Sequence, residues 1–378
     1  MTPPEAERPA AETGEADLWA QAAREERELE EKLKPFEDPV IAQYLARLGV
    51  ALTPDDARAA GSPSLTFLVL PDPTLSAFAM PNGRIYVHTG LLAWLADETQ
   101  LAAILGHAIA HVTNRHALRF AREDESRPPL FTVPAPPLSP VASVILGRGL
   151  RLAATAAMRG YGRDLERQAA ADSMASLVRA GYDVREAPKT YELLRDEARN
   201  RGPLETFLLA NPQYLAERIE DTRDLAQTRY ANVAAPPRSP TAAPEFRMRM
   251  RIVTRENARL DIQAERFELA ATQLERVLAL APRDAIAQLY YGDLYRLESQ
   301  RSGDAADRAD KARKAMERYE RAAQLDPAYP DPFRQLGLLY YQQKDRARAK
   351  QSFEKYLALR PDAPDAGRIK SYLVEIDR

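Results

Sequence analysis

DETQLAAILGHAIAHVTNRHA, residues 97–117, decides how the middle of this chain folds. It predicts one long apolar helix from about Glu98 to Leu118, with Leu101, Ala102, Ile104, Leu105, Ile109 and Val112 spread around it. His107 and His111 are four residues apart, so they project from one face about a turn from each other. Two imidazoles in so apolar a helix need partners, because burying them unpaired is costly. A metal ion is one solution and hydrogen bonding is another. The spacing alone leaves both open.

Upstream, LTFLVL (Leu65 to Leu70) is a compact strand pattern. Ser76 to Met80 and Arg84 to Val87 flank Pro81-Asn82-Gly83, and Asn-Gly between two strands signals a hairpin. From Asp38 an amphipathic helix is expected, with Val40, Ile41, Tyr44, Leu45 and Leu48 at helical spacing. Leu18 to Lys34 is a highly charged helical stretch expected to pack by one thin face, and residues 1 to about 17 read as a disordered acidic tail. Downstream, Glu123 to Pro140 is Pro-rich and irregular, a lid or surface loop by composition. Helices resume from Val141 to about Tyr230, and four prolines between Ala231 and Glu245 mark a linker.

Beyond that linker the sequence repeats itself. Pro282, Pro327 and Pro361 each close a helix, the last two 34 residues apart and the first two 45 apart, which leaves 11 extra residues. Thirty-four is the tetratricopeptide period, and the polar stretch Ser299 to Asp310 can hold the surplus. Phe333, Leu336, Gly337, Tyr340, Ala349, Phe353, Tyr356 and Pro361 fall at the consensus positions of that repeat. Tyr291, Gly292, Tyr295, Ala315, Tyr319 and Pro327 echo them in the unit before. The expected domains are a tail and helix (1–37), a central domain (38–230), the linker (231–245) and a helical repeat domain (246–378).

Composition narrows the function. A net charge of -2 over 378 residues argues against nucleic-acid binding, which needs a basic face. With no cysteine, disulfides and thiolate chemistry are excluded. No transmembrane segment is expected, since Val141 to Met158 is interrupted by Arg148 and Arg151. No secretory signal is read behind Met1, so the expectation is a cytoplasmic protein or one whose signal has been removed.

SAFAMPNGRIYVHTGLL (Ser76 to Leu92) followed by the 97–117 stretch resembles the HtpX and CAAX-prenyl-protease type of zinc metallopeptidase. The likeness covers roughly Glu37 to Ala226 and is to the soluble periplasmic branch, which often carries C-terminal tetratricopeptide repeats. It implies an α+β fold: a gluzincin-type metallopeptidase domain with a small β-sheet, then an all-α repeat domain. In that family the helix motif is His-Glu-x-x-His, and both histidines match, at His107 and His111. The third zinc ligand is a glutamate on a later helix, in Glu-x-x-Ala-Asp, and Glu166 holds that position. The plain alternative is a glutamate in a solvated charge run with Arg163, Asp164 and Arg167. His116 is expected to turn off the metal face, and His88 to be a surface or cleft residue at a strand end.

The chain departs from the family where the chemistry is done. The glutamate that acts as general base is Ala108, and losing such a base costs about 10²–10⁴ in rate. The acid expected four residues after Glu166 is Ala170, so an orienting partner for a ligand histidine is missing. Asp172 lies about 200° further around that helix and cannot simply substitute. Asn211 stands where the family has a histidine near the zinc. No catalytic residue is intact, which implies a pseudopeptidase that holds weakly bound zinc, takes a polypeptide client in its cleft and recruits a protein partner. The partner groove is expected at Arg296, Arg334, Tyr341 and Gln342, and the setting is envelope-protein quality control in the periplasm. Two rivals stand beside it: a working zinc endopeptidase whose base has been changed at position 108, and a metal-free scaffold.

Overall fold

A computed structural model describes residues 14–58, 62–123, 140–148, 150–201, 212–234 and 243–378. They fall into two compact units that divide between Val253 and Thr254. Most of the lid or loop expected at Glu123–Pro140, Asn211, the tail up to residue 13 and residues 235–242 of the linker lie outside the described residues.

The first unit is layered around a sheet of order β1-β3-β2, made of β1 (Thr66–Leu70), β2 (Ala77–Ala79) and β3 (Arg84–His88). β1 pairs with β3 in parallel, Thr66 opposite Arg84, and β2 pairs with β3 antiparallel, Phe78 opposite Tyr86. The hairpin is closed by the Gly83 N–H donating to the Met80 carbonyl at 3.1 Å, with Gly83 at φ 96°, a left-handed conformation that glycine adopts without strain. Ile85 and Val87 point into the larger core, whereas Tyr86 packs in the second cluster with Phe78, Met80 and Leu70. Period-two alternation thus buries the sheet on both faces.

On the larger face lie α2 (Pro39–Leu52) and α4 (Glu98–Thr113), the short α3 (Thr89–Trp94) leading into the latter. Asp38 caps α2, accepting from Val40 and Ile41 N–H, so Val40 falls at the start of the helix and is 60% exposed rather than part of its apolar face. On the other face lie α1 (Glu15–Lys32), α6 (Pro140–Arg148) and α7 (Arg151–Ala154), which runs into a π-turn at Thr155–Arg159. α1 begins within the stretch expected to be tail, and its thin buried face carries acids: Glu25 accepts from the N–H groups of Leu152 and Ala153, at 3.2 and 3.0 Å. The π-turn packs against β2, one of the two edge strands of the sheet.

The helix expected to run to Leu118 breaks. Asn114 caps α4, Arg115 takes a left-handed φ of 53°, and a new helix, α5, covers His116–Glu123. The Asn114 side-chain amide donates to the Ala110 carbonyl at 2.9 Å, beside the Asn114 backbone N–H that reaches the same oxygen at 3.0 Å. α8 (Arg163–Arg179), α9 (Glu186–Arg201), α10 (Pro212–Gln227) and the first half of α11 (Ala243–Gln263) complete this unit.

The second unit continues with α12 (Phe267–Leu280), α13 (Ala285–Arg301), α14 (Ala305–Leu325), α15 (Pro330–Gln342), α16 (Arg346–Leu359) and α17 (Ala366–Ile376). Gly292 and Gly337 let paired helices close up: a Cβ on either would stand 2.5 Å from the ring of Tyr319 or Phe353. The 11 extra residues do not form a long connection. α13 and α14 have 17 and 21 residues against 13 and 14 in α15 and α16, and the lengthened helices absorb them.

Candidate metal centre

α4 is the element that positions the site. Asp97 caps it by accepting from the Gln100 N–H at 3.0 Å, and buried Glu98 accepts hydroxyls from Tyr44 (2.6 Å) and Tyr182 (2.9 Å). Anions at a helix N-terminus also meet its dipole favourably. α8 is held against α4 by the Ser173 hydroxyl, which donates to the Ala103 carbonyl at 3.0 Å. A Cβ on Gly106 would lie 2.9 Å from that hydroxyl oxygen, so glycine here permits the approach. This contact sets Glu166 of α8 over the histidine face of α4.

Three ligand atoms converge there. The Nε2 atoms of His107 and His111 are 3.0 Å apart, and Glu166 Oε2 lies 3.1 Å from the first and 3.6 Å from the second. Tetrahedral coordination at ordinary zinc bond lengths needs ligand atoms about 3.3 Å apart. Among the described residues this is the one group of three or more such side chains close enough to share an ion. Burial, with the nearby Arg218 charge, holds His107 down to about 3, leaving the neutral imidazole a metal requires. Burial would raise Glu166, but the side chains that face its carboxyl, His111, His107 and Arg218, outweigh it and hold it well below 4.5. The donor set therefore fits zinc. His107 Nδ1, however, is buried and has no partner among the described residues.

A cavity of about 70 Å³ lies against the triad, lined by Ala77, Phe78, Ala79, Ile104, Ala108, Ala156, Gly160, Tyr161, Tyr191 and Arg218 besides the ligands. Arg218 Nη2 donates to Glu166 Oε2 at 2.7 Å, and the Tyr161 N–H donates to Oε1 at 3.2 Å. The Tyr161 ring packs on His111, centroids 4.9 Å apart. Burial pushes the hydroxyls of Tyr161 and Tyr191 up, so neither lends itself to accepting a proton.

The structure thus brings together His107, His111 and Glu166; Ala108 lines the same cavity, and Ala170 is buried on α8 four residues after Glu166. His116 stays outside the ligand group, as expected, but the break at Arg115 brings its Nδ1 to 2.9 Å from His111 Nδ1, on the side of that ring away from Nε2. One expectation is corrected. His88 is not on the surface; it is 3% exposed, with Nδ1 2.8 Å from the Thr74 hydroxyl and 3.5 Å from Asp72. In the second unit Arg296 bonds Tyr319, Arg334 pairs with Asp365, Tyr341 donates to Glu375, and Gln342 is exposed. Arg218 and Tyr161 were missed as site residues. Arg218 sits within the Glu-Arg-Ile triplet at 217–219, and a cation there was the available signal.

Residues 50–228 match the profile described as Peptidase family M48, and residues 304–373 match one described as Tetratricopeptide repeat. The chain is 32% identical over 197 residues to a putative beta-barrel assembly-enhancing protease of Vibrio cholerae, covering 50% of this chain and 40% of that protein. It is 30% identical over 201 residues to the beta-barrel assembly-enhancing protease of Escherichia coli, covering 50% and 39%. A mitochondrial metalloendopeptidase OMA1 of Arabidopsis thaliana is 30% identical over 131 residues, covering 34% and 25%. These matches span two fifths or less of the relatives' lengths.

Proposed function

We propose that this chain, which carries a Peptidase family M48 domain followed by tetratricopeptide repeats, binds zinc at His107, His111 and Glu166 and holds polypeptide without cutting it. The observation that carries this reading is the lining of the cavity: among the described residues, Glu166 is its only carboxylate, and alanine fills position 108. Zinc in such a site polarises a carbonyl and activates water. The residues left to assist are Arg218, a permanent cation, and two phenols whose burial opposes ionisation. None is suited to take the proton that hydrolysis releases.

An extended client would add along the free edge of β2, where main-chain groups supply affinity and Ala77 and Ala79 leave room for side chains. Ala156 and Gly160 line the same small cavity, so residues 155–161 must move for a chain to enter. The repeats would recruit a protein partner through the groove that includes Arg296, Arg334, Tyr341 and Gln342. The relatives' names support beta-barrel assembly as the process, and the periplasm as the setting rests on the family resemblance.

The intact ligand triad favours a second reading, a working endopeptidase with its base supplied from elsewhere. Zinc content and cleavage of unfolded casein, measured on one preparation, separate the readings. Zinc bound without cleavage supports the first, chelator-sensitive cleavage the second, and zinc unchanged by His111→Ala sinks the ligand assignment.

A further inference from the structure

We infer that Asp172, Asn114, Gln168 and His116 form a one-way hydrogen-bond relay that fixes His111 as an Nε2 ligand. This rests on the metal reading above and deepens it: the orienting carboxylate that position 170 lacks is supplied to the other histidine, from the far side of the helix pair.

The donors and acceptors along the chain fit a single direction. Asp172 Oδ2 can only accept, and Asn114 Nδ2 lies 2.8 Å from it and 2.9 Å from the Ala110 carbonyl. Both amide protons of Asn114 are thereby committed, so its Oδ1 must accept, and Gln168 Nε2 donates to it at 3.2 Å. At the other end of Gln168, Oε1 accepts from Arg119 Nη1 at 2.7 Å, and arginine has no acceptor to offer. The same Oε1 faces His116 Nε2 at 3.4 Å, which places the proton of His116 on Nε2. A neutral His116 then has a bare Nδ1, able only to accept, and 2.9 Å away stands His111 Nδ1. His111 must donate there, which leaves its Nε2 lone pair free and aimed at His107 and Glu166.

This is a lengthened version of the carboxylate–histidine–metal arrangement, in which an outer acceptor sets the tautomer and the ring angle of a ligand. Asp172, Asn114 and Arg115 also line a cavity of about 550 Å³, so the relay ends at an opening rather than in the core. The helix break at Arg115 makes the relay possible, because a continuous helix would carry His116 to another face.

The test uses the full chain, whose four histidines make selective ¹⁵N labelling readable. In the metal-free parent, His111 should carry its proton on Nδ1 and His116 on Nε2. Zinc affinity, by competition with a chromogenic chelator, should fall about tenfold in Asn114→Leu, the low end for losing an outer-shell partner. Gln168→Glu sets a carboxylate directly on His116, so in that background Asn114→Leu should cost less than about twofold. Asp172→Ala serves in its place if Asn114→Leu does not fold. A proton on Nε2 of His111 in the parent, or an equal loss in both backgrounds, overturns the relay. A parent that shows both tautomers but takes up no zinc supports the relay and defeats the metal reading.

Discussion

Arg218 Nη2 donates to Glu166 Oε2 at 2.7 Å, the same oxygen that lies 3.1 Å from His107 Nε2. A cation and a metal ligand set thus address a single carboxylate atom. Arg218 stabilises the buried anion when the histidines alone hold it, and its removal leaves burial opposed by fewer partners. Arg218→Met should therefore cost about 1.5–3 kcal/mol in urea unfolding of the metal-free protein, the usual worth of a hydrogen bond to a charged group. It should also move acid unfolding to higher pH, because Glu166 stabilises the fold only above its lowered folded pKa. An unchanged urea midpoint would mean the pair contributes nothing.

The histidines predict a second pH dependence. Burial holds His107 and His116 at about 3 against an ordinary 6.5, so the unfolded chain binds more protons between those values. Their contribution is complete above pH 6.5 and is lost as pH falls towards about 3. Near pH 5, unfolding of the metal-free protein should take up about two protons at these sites, and His107→Leu should remove about one. A pH-independent stability between 6 and 4 would contradict the burial of neutral imidazoles.

Glu25 should hold α7 in place through the two N–H groups it accepts. Glu25→Ala removes what amounts to a helix cap, worth about 0.5–2 kcal/mol. Hydrogen exchange at the Leu152 and Ala153 amides should accelerate while exchange in α14 to α16 stays unchanged. Equal protection of those amides in parent and variant would show that α1 does not secure that segment.

In the repeats, Gly292→Ala and Gly337→Ala should each destabilise by about 1–3 kcal/mol, since an added methyl must displace the Tyr319 or Phe353 ring. A thermal melt that does not move in either variant would remove the close helix approach from the account.

Much of this was legible in the sequence. The His107–His111 spacing, the Asn82-Gly83 turn and the proline-marked repeats are local patterns, and each encodes its geometry over a few residues. What was hidden depends on contacts across the fold. Nothing within Asn114-Arg115-His116 announces that Arg115 will take a positive φ, because the break is set by partners on α8: Asp172 and Gln168, both bonded to Asn114. Asp172 looked misplaced as a substitute for position 170; its partner is Asn114, in a turn that helical periodicity does not contain. Glu25 and Glu26 lie in the charged stretch from which only a thin packing face was expected, yet both are buried, and each meets donors more than fifty residues away.

The central claim is that this site is damaged at several positions. The direct measurement is casein cleavage by zinc-loaded Ala108→Glu. On the proposed reading Ala108→Glu supplies a proton acceptor, but His107 Nδ1 has no partner among the described residues, and position 211 keeps asparagine where the family resemblance expects histidine. Catalytic groups act as a unit, so one restored member recovers little. Cleavage should stay barely above that of the parent, with the triple change Ala108→Glu, Ala170→Asp, Asn211→His doing better. Brisk, chelator-sensitive proteolysis by the single variant would show a peptidase disabled at one residue and contradict the account.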